Sequence, residues 1–307
     1  MQDWVRVMIL IKTIILMKKI FFALLSVILF LFSAGATAQT KGYPFQSGEN
    51  MELIIHYKWG FSADIASVKF TFTEKSEEGK EPYYHLLAHA STYKFWDSFF
   101  KVRDIYESKF YVKDLTPLYF HRDVSEGNFY AKNWYSWQDG GKTLNAIVDK
   151  KGRPRRDTTY YENDVIRDII NIFFTVRCLD FAKLEKGKPA PFIIALDKDI
   201  LDMRVRFVGR EKKRVPKVGT FNAIKLAIAV NPRKGRTKDG ETSVFSFGEG
   251  DGESVFYGEE KVFIWLSDDA NKLPIFFSAP VAVGAINGRI GTYEGVKYPL
   301  TSLIKVE

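Results

Sequence analysis

The stretch LYFHRDVSEGNFYAKNWYSWQDGGKTLNAIV, from Leu118 to Val148, indicates the fold more clearly than any other part of the chain. Apolar and polar residues alternate in its three runs, as they do in strands that bury one face. SEGN (125–128) and DGGK (139–142) separate the runs, and their glycines and polar residues are typical of hairpin turns. The stretch therefore predicts a three-stranded meander with Trp134 and Trp137 on its middle strand.

The two-residue period continues on both sides of this meander. Upstream, Leu53, Ile55, Tyr57 and Trp59 share one face of a predicted strand, and further strands are expected at 68–72 and 83–92. Downstream, strands are predicted at 191–197, 201–209, 221–230, 255–266, 273–279 and 297–306. The aromatic stretch YKFWDSFF (93–100) has no clear assignment.

One segment has a helical period instead. In DVIRDIINIFFTVRCLDFAKLEKG (164–187), the apolar residues recur every three or four positions. We predict one helix over about 164–180, with Asp164 as its N-cap and Gly187 as a terminator, packed against the concave face of a sheet. The fold class is therefore all-β: a curved antiparallel sheet or an open, incomplete β-barrel with one inserted helix. Two packed sheets remain an alternative.

The amino terminus has the features of an export signal. Lys18 and Lys19 precede an apolar run from Ile20 to Phe32, and small residues up to Ala38 complete an A-x-A cleavage site. Met17 suggests that the first sixteen residues are an upstream start. We predict that residues 1–38 are removed and that 39–307 form a single antiparallel β domain. No cysteine follows the apolar run, so a lipoprotein anchor is not expected. A soluble periplasmic or secreted protein that does not span the membrane is the expected product.

Composition agrees with a folded, exported domain. Hydrophobic residues make up 46% of the chain, which is enough for a substantial core. The single cysteine, Cys178, can form no internal disulfide, so packing has to supply the stability. The predicted leader carries a net charge of +3, and removing it lowers the formal charge from +8 to +5.

Asp268 and Asp269 lie side by side in VFIWLSDDANKLPIFF (262–277) and raise the question of a catalytic acid pair. The strand pattern stops before them and resumes at Pro274, which places both in a connection. Aspartates favour turns because their carboxylates accept hydrogen bonds from nearby backbone N–H groups. We therefore interpret the pair as structural.

The chain resembles the bacterial exported proteins grouped as domain of unknown function 3108. The resemblance rests on YPFQSGENMELIIHYKWG, FKVRDIYESKFYVKDLTPLYF, DVIRDIINIFFTVR, VPKVGTFNAIKLAIAV and VFIWLSDDANKLPIFF, which together extend from Tyr43 to Phe277. The family brings no assigned activity. A more distant similarity is to the open β-barrels of periplasmic lipoprotein carriers, which implies a hydrophobic concavity suited to an acyl chain.

The sequence contains few of the residue patterns that enzymes use for catalysis. His85 and His89 are about 13 Å apart on a strand and could not share a metal, and neither they nor His56 and His121 belong to a metal or nucleophile motif. The acidic loop GEGDGE (248–253) lacks the spacing of a calcium loop. We therefore predict no metal and no cofactor. The only catalytic candidates, both weak, are Asp97 and Asp104 beside a group of aromatic residues.

Aromatic and basic residues are the candidates for binding, although core filling explains many of the aromatic residues and solvated strand ends explain many of the basic ones. Phe, Trp and Tyr make up 15% of the chain, and five of them are candidates to line a hydrophobic ligand site: Trp59, Trp96, Phe99, Trp134 and Trp137. The basic stretches 150–156, 210–217 and 231–238 could hold an anionic envelope polymer if they cluster in space. No nucleic-acid motif is present.

Three functions follow in order of preference. The first is a non-catalytic envelope protein that binds a lipid or another hydrophobic ligand. The second is a hydrolase acting on envelope glycans or lipids. The third is an envelope scaffold that binds a partner protein.

Overall fold

A computed structural model describes residues 42–306, apart from 60, 198, 234–261 and 281–283. The predicted leader (1–38), the acidic loop (248–253), most of the third basic stretch (231–238) and the first part of the strand expected at 255–266 lie outside the described residues.

The described residues form sixteen strands, all in one sheet. Their bounds are β1 Asn50–Trp59, β2 Phe61–Lys75, β3 Tyr83–Thr92, β4 Arg103–Tyr111, β5 Pro117–Glu126, β6 Phe129–Gln138, β7 Thr143–Lys150, β8 Arg156–Tyr161, β9 Ile166–Arg167, β10 Ala190–Leu196, β11 Asp199–Val215, β12 Gly219–Pro232, β13 Val262–Ser267, β14 Pro274–Pro280, β15 Ala285–Glu294 and β16 Leu303–Val306. Three short helices accompany them: α1 Lys94–Asp97, α2 Asn171–Arg177 and α3 Phe181–Glu185.

The sheet has the order β8-β7-β6-β5-β4-β3-β2-β1-β15-β14-β13-β12-β11-β10-β9, with β16 beside β12. Its end strands, β8 and β9, do not pair with each other within the described residues. The predicted fold class is confirmed: the protein is mostly β, and its sheet is an open one that does not close into a barrel.

Antiparallel pairing places the connections of one half of the sheet on two opposite rims. Neighbouring strands from β2 to β8 are all antiparallel, so successive connections alternate between the ends of the sheet. Rim A comprises the connections 93–102, 127–128 and 151–155. Rim B comprises 76–82, 112–116, 139–142 and 162–165.

The segment expected to be one helix over 164–180 contains two elements, β9 and α2, and α3 follows it, so that prediction is wrong in its bounds. Ile166 and Arg167 instead form β9, a short strand parallel to β10. Asp168 rather than Asp164 supports the start of α2, because its Oδ1 atom accepts the backbone N–H groups of Ile170 and Asn171 at 2.8 and 2.7 Å; the N-cap position itself is Ile170. Asp180 caps α3 directly, and Gly187 follows α3 with a positive φ of 85°.

Helix α2 packs inside the curved sheet, as the apolar spacing predicted. Every residue from Asn171 to Arg177 is buried. Phe174 stacks on Phe72 with ring centroids 4.3 Å apart, and Phe173 stacks on Phe70 at 5.3 Å. These contacts fix the helix against β2.

The strand predictions find most of the alternating sequence but miss several strands. The meander is confirmed as β5, β6 and β7. The prediction omitted β4 and β8, and it also omitted β15, which pairs with β1 at the centre of the sheet. The strand expected at 297–306 is only Leu303–Val306. The glycines of β15 obscured its β pattern. Glycine is nevertheless required at position 288 for packing, because a Cβ atom there would lie 1.6 Å from Phe277 Cε1.

Asp268 and Asp269 lie between β13 and β14, as expected. Asp269 accepts hydrogen bonds from Ser267 Oγ at 2.9 Å and from Ser302 Oγ at 2.6 Å. Asp268 accepts from Arg210 Nε at 2.8 Å. The two carboxylates therefore bind different parts of the chain: Asp269 binds Ser267 and Ser302, whereas Asp268 binds Arg210.

Candidate functional site

Rim A carries a group of aromatic rings, which we call the aromatic cluster: Phe95, Trp96 and Phe99. Ring centroids lie 5.1 Å apart for Phe95 and Trp96, 5.5 Å for Phe95 and Phe99, and 5.9 Å for Trp96 and Phe99. Phe95 is 67% exposed and Phe99 39%. Large apolar side chains that contact one another at the surface mark a binding surface more often than isolated ones do.

The local sequence explains why these rings face outward. After β3 the chain makes the single turn α1, and the Trp96 indole N–H donates to the carbonyl of Asp64 at 3.0 Å. Phe100 turns inward and is buried. With Trp96 and Phe100 serving as anchors, Phe95 and Phe99 remain on the outer side of the connection.

Asp97, the first catalytic candidate, braces this connection. Its carboxylate accepts hydrogen bonds from Arg103 Nη2 at 2.6 Å and Thr92 Oγ1 at 2.5 Å. The hydrogen bond from Arg103 holds the pKa of Asp97 below its usual range. A carboxylate paired in this way is suited to holding the connection in place.

Asp104, the second candidate, lies on the inner face of the sheet. Its Oδ1 accepts the backbone N–H of Ser125 at 2.8 Å, and the Tyr106 hydroxyl lies 3.5 Å from Oδ2. Burial raises the pKa of Asp104 to about 7 and raises that of its neighbour Glu126 well above the usual range. Asp104 therefore forms a buried carboxyl pair with Glu126. Within the described residues, Asp97 and Asp104 share no hydrogen-bond partner.

The turn between β10 and β11 inserts Asp197 into the same interior. The Asp197 carboxylate forms an ion pair with Arg122, accepts from Lys150 Nζ at 2.7 Å and contacts Asn133 Nδ2 at 3.2 Å. The Tyr135 hydroxyl donates to the Asp197 carbonyl at 2.6 Å. Burial acts to raise the pKa of Asp197, but Arg122 and Lys150 outweigh it and hold the pKa well below its usual range.

These groups form a buried polar cluster, and the sequence analysis missed all of it except Asp104. Its members are Asp104, Arg122, Glu126, Asn133, Tyr135, Lys150 and Asp197. A partial signal exists, because Arg122 alternates with the inward residues Phe120 and Val124 on β5. No pattern within β5 indicates that the negative charge that pairs with Arg122 comes from Asp197, in a turn more than seventy positions later.

The five predicted ligand-lining aromatics do not form one pocket. Trp96 and Phe99 belong to the aromatic cluster, and Trp59 ends β1 at the same end of the sheet. Trp134 lies on the outer face, where it stacks on His121 at 5.4 Å. Trp137 is on the inner face and is buried. The odd spacing of Trp134 and Trp137 on one strand places them on opposite faces.

The histidines make ordinary contacts within the sheet. His56 Nδ1 lies 3.0 Å from Asp64 Oδ1, and His85 Nε2 lies 2.9 Å from Glu107 Oε1. In the part of the chain that the structure describes, no group of three or more His, Cys, Asp or Glu residues is arranged to hold a metal ion.

The two described basic stretches, 150–156 and 210–217, lie in different connections of the sheet. Residues 150–156 join β7 to β8 at rim A, whereas 210–217 lead into the turn between β11 and β12. The tip of that hairpin reaches the start of β2, because Lys217 Nζ lies 3.5 Å from Asp64 Oδ2. Each stretch has to be considered separately.

The fold places this chain among proteins built on one open, curved β-sheet. A family model described as protein of unknown function (DUF3108) matches residues 53–290. The chain belongs to this family, as its sequence resemblance indicated.

Solved structures with a similar fold include the β-barrel-like DUF1849 protein from Brucella abortus, with 8% identity, a TM-score of 0.43, and coverage of 81% of this chain and 98% of that one. A candidate lipoprotein from Parabacteroides distasonis has 9% identity and a TM-score of 0.34, with 83% and 100% covered. A candidate exported protein with a YmcC-like fold from Bacteroides fragilis has 10% identity and a TM-score of 0.32, with 82% and 99% covered. Comparison with curated protein sequences gives no match. Among the described residues, no helix combines the length and apolar character needed to cross a membrane.

Proposed function

We propose that this protein is an exported, non-catalytic component of the cell envelope that binds a lipid-like hydrophobic ligand through rim A. The observation that carries the proposal is the aromatic cluster, in which Phe95 and Phe99 are exposed while Trp96 and Asp97 hold their connection in place. A rigid apolar surface loses little conformational freedom when it binds. The predicted leader at 1–38 supplies the envelope location.

Hydrolysis is the second candidate, and one observation favours it. Asp104 and Glu126 form a carboxyl pair in which one group has a pKa of about 7, a value suited to proton transfer near neutral pH. Both side chains are almost fully buried, whereas a catalytic carboxyl has to reach its substrate. Ligand binding at rim A is therefore the stronger proposal.

The test is binding of a dansyl-labelled fatty acid to residues 39–307. Phe95→Ser combined with Phe99→Ser should weaken binding by at least about tenfold, because burying one Phe side chain contributes about 1.5–3 kcal/mol. The matched control is Tyr161→Ser combined with Val208→Ser, which removes two exposed apolar side chains elsewhere.

Native mass spectrometry of the gently purified protein, followed by organic extraction, would identify a co-purified lipid. Equal probe binding by the wild type and the Phe95/Phe99 variant would contradict a site at rim A. The absence of both a bound lipid and probe affinity would reject ligand binding and favour the scaffold alternative. To test hydrolysis directly, Asp104→Asn should leave any turnover of envelope lipids unchanged if the protein is non-catalytic.

A further inference from the structure

The three connections of rim A form one continuous surface. The backbone N–H of Gly127 donates to the Lys101 carbonyl at 2.8 Å, which joins the first connection to the second. Lys151 Nζ then donates to the Asn128 carbonyl at 3.0 Å, which joins the second to the third. The aromatic cluster and the basic turn 151–155 therefore belong to the same rim.

Charge divides sharply between the two rims. Rim A contains five basic residues and one acidic residue, Asp97, which is paired with Arg103. The basic residues are Lys94, Lys101, Lys151, Arg153 and Arg155. Rim B contains seven acidic and three basic residues. The formal charges of the two rims, +4 and −4, have opposite signs, so the field of these connections favours approach to a negative surface by rim A first.

The basic side chains of rim A are available to an external partner. Lys94, Lys101, Arg153 and Arg155 are exposed. Within the described ranges none of these four forms an ion pair at 4 Å or less. Arg155 lies over the Trp134 ring at 5.7 Å, a contact that leaves its charge uncompensated.

We infer that rim A docks on an anionic lipid bilayer, with Phe95 and Phe99 in the interfacial region and the surrounding lysines and arginines on the headgroups. This inference rests on the proposed function and names the surface from which the lipid-like ligand is taken or to which it is delivered. Exposed aromatics among cations are the pattern of interfacial binding, since apolar burial and attraction to anionic lipid act together. A soluble acidic glycan would use the cations but would leave the two phenylalanines without a role.

Vesicle flotation tests the inference. The mature chain, residues 39–307, is mixed with phosphatidylcholine vesicles that contain either no phosphatidylglycerol or a one-third share of it. We expect at least about tenfold tighter binding to the anionic vesicles, and a loss of that preference at high salt, because each cation near the surface contributes about 1 kcal/mol.

Charge reversal on the two rims provides a matched pair of variants. Lys151→Glu with Arg153→Glu and Arg155→Glu should reduce binding to the level of neutral vesicles. Lys80→Glu with Lys113→Glu and Lys142→Glu changes the net charge equally on rim B and should keep the preference for anionic vesicles. Thermal melting confirms that both variants are folded, which is expected because these side chains are exposed.

Three results would overturn the inference. The first is an equal loss of binding in both triple variants, since net charge alone would then be responsible. The second is no preference for anionic vesicles; if the fatty-acid probe still binds, the proposed function stands and only the bilayer surface is rejected. The third is displacement of the protein from vesicles by soluble polygalacturonate, together with equally tight binding of this polymer in the absence of lipid, which would favour an acidic glycan.

Discussion

Arg177 and Glu49 form an ion pair whose two side chains are fully buried. The Arg177 guanidinium also donates to the Asn271 carbonyl at 2.9 Å and lies over the Phe45 and Phe174 rings, so α2, the chain before β1 and the β13–β14 connection meet at one side chain. Removing one partner of a buried pair leaves an uncompensated charge.

We therefore expect Arg177→Met or Glu49→Gln to lower the free energy of unfolding by about 3–5 kcal/mol, measured by urea denaturation. The control is Lys80→Met, which breaks the exposed pair with Glu77 and should change the free energy of unfolding little, because solvent screens an exposed pair. Similar costs for the buried and exposed variants would show that the interior pair is not a structural anchor.

Asp104 should make stability depend on pH in a characteristic direction. Its folded pKa of about 7 lies above the unfolded value of about 3.9. Between those values the native state binds more protons than the unfolded state, so the stability contributed by protonated Asp104 is complete below about pH 4 and is lost as the pH rises towards 7. The maximum slope from one such group is about 1.4 kcal/mol per pH unit.

Asp104→Asn should flatten the plot of unfolding free energy against pH over this window, because the amide does not titrate. Part of the slope should remain, since burial raises the pKa of Asp168 to about 6. Asp123→Asn is the matched control: Asp123 lies on the outer face of β5 and pairs with Lys132 at 2.7 Å. If the Asp104 variant kept the full slope, Asp104 would not be a source of the pH dependence.

At the scale of elements, the β10–β11 turn holds together two parts of the sheet that are distant in strand order. Asp197 takes a left-handed conformation, φ 53°, and its carboxylate meets Arg122, Asn133 and Lys150 from β5, β6 and β7. This contact lies across the open side of the sheet, where β8 and β9 are unpaired. The turn therefore stabilises the curvature that strand pairing alone leaves open.

Asp197→Asn preserves the size of the side chain and its tolerance of the left-handed conformation, but leaves Arg122 and Lys150 without their counter-charge. We expect faster amide hydrogen exchange in β10 and the beginning of β11, with β1 and β2 unchanged. Asp202→Asn, in the more exposed pair with Arg233, should alter exchange little. Uniformly faster exchange over the whole sheet would mean that the turn has no local role.

Several individual elements were predictable from sequence because one local rule acts, although the same rule fits β4, which was not predicted. Alternation identified β3 from Tyr83 to Thr92 without error, because one face of that strand is buried and the other is not. Apolar spacing detected the helical segment but not its division, because β9 depends on pairing with β10, which is distant in sequence. The buried polar cluster was hidden for the same reason, since the partners of Arg122 and Asn133 come from a turn elsewhere in the chain.

On the scale of the whole molecule, the two halves of the sheet meet along two lines. One is the β1–β15 ladder, which runs from Asn50 opposite Glu294 to Lys58 opposite Ala285. The other is the set of contacts that Asp197 makes across the open side. A single-domain protein of residues 39–307, as the sequence predicts, needs both lines, because neither half could cover its own inner face alone.

The closing prediction is that both halves unfold in one cooperative transition. Calorimetric and van't Hoff enthalpies of unfolding should agree, and amides in β5–β7 should lose protection at the same urea concentration as amides in β11–β13. The result is not guaranteed by size, because chains beyond about 150 residues commonly populate intermediates. Earlier loss of protection in β11–β13 would show that the ladder between β1 and β15 transmits too little stability and that the chain consists of two folding units. Asp197→Asn tests the second line of contacts separately. If those contacts couple the two halves, this variant should unfold in two transitions, whereas the wild type unfolds in one.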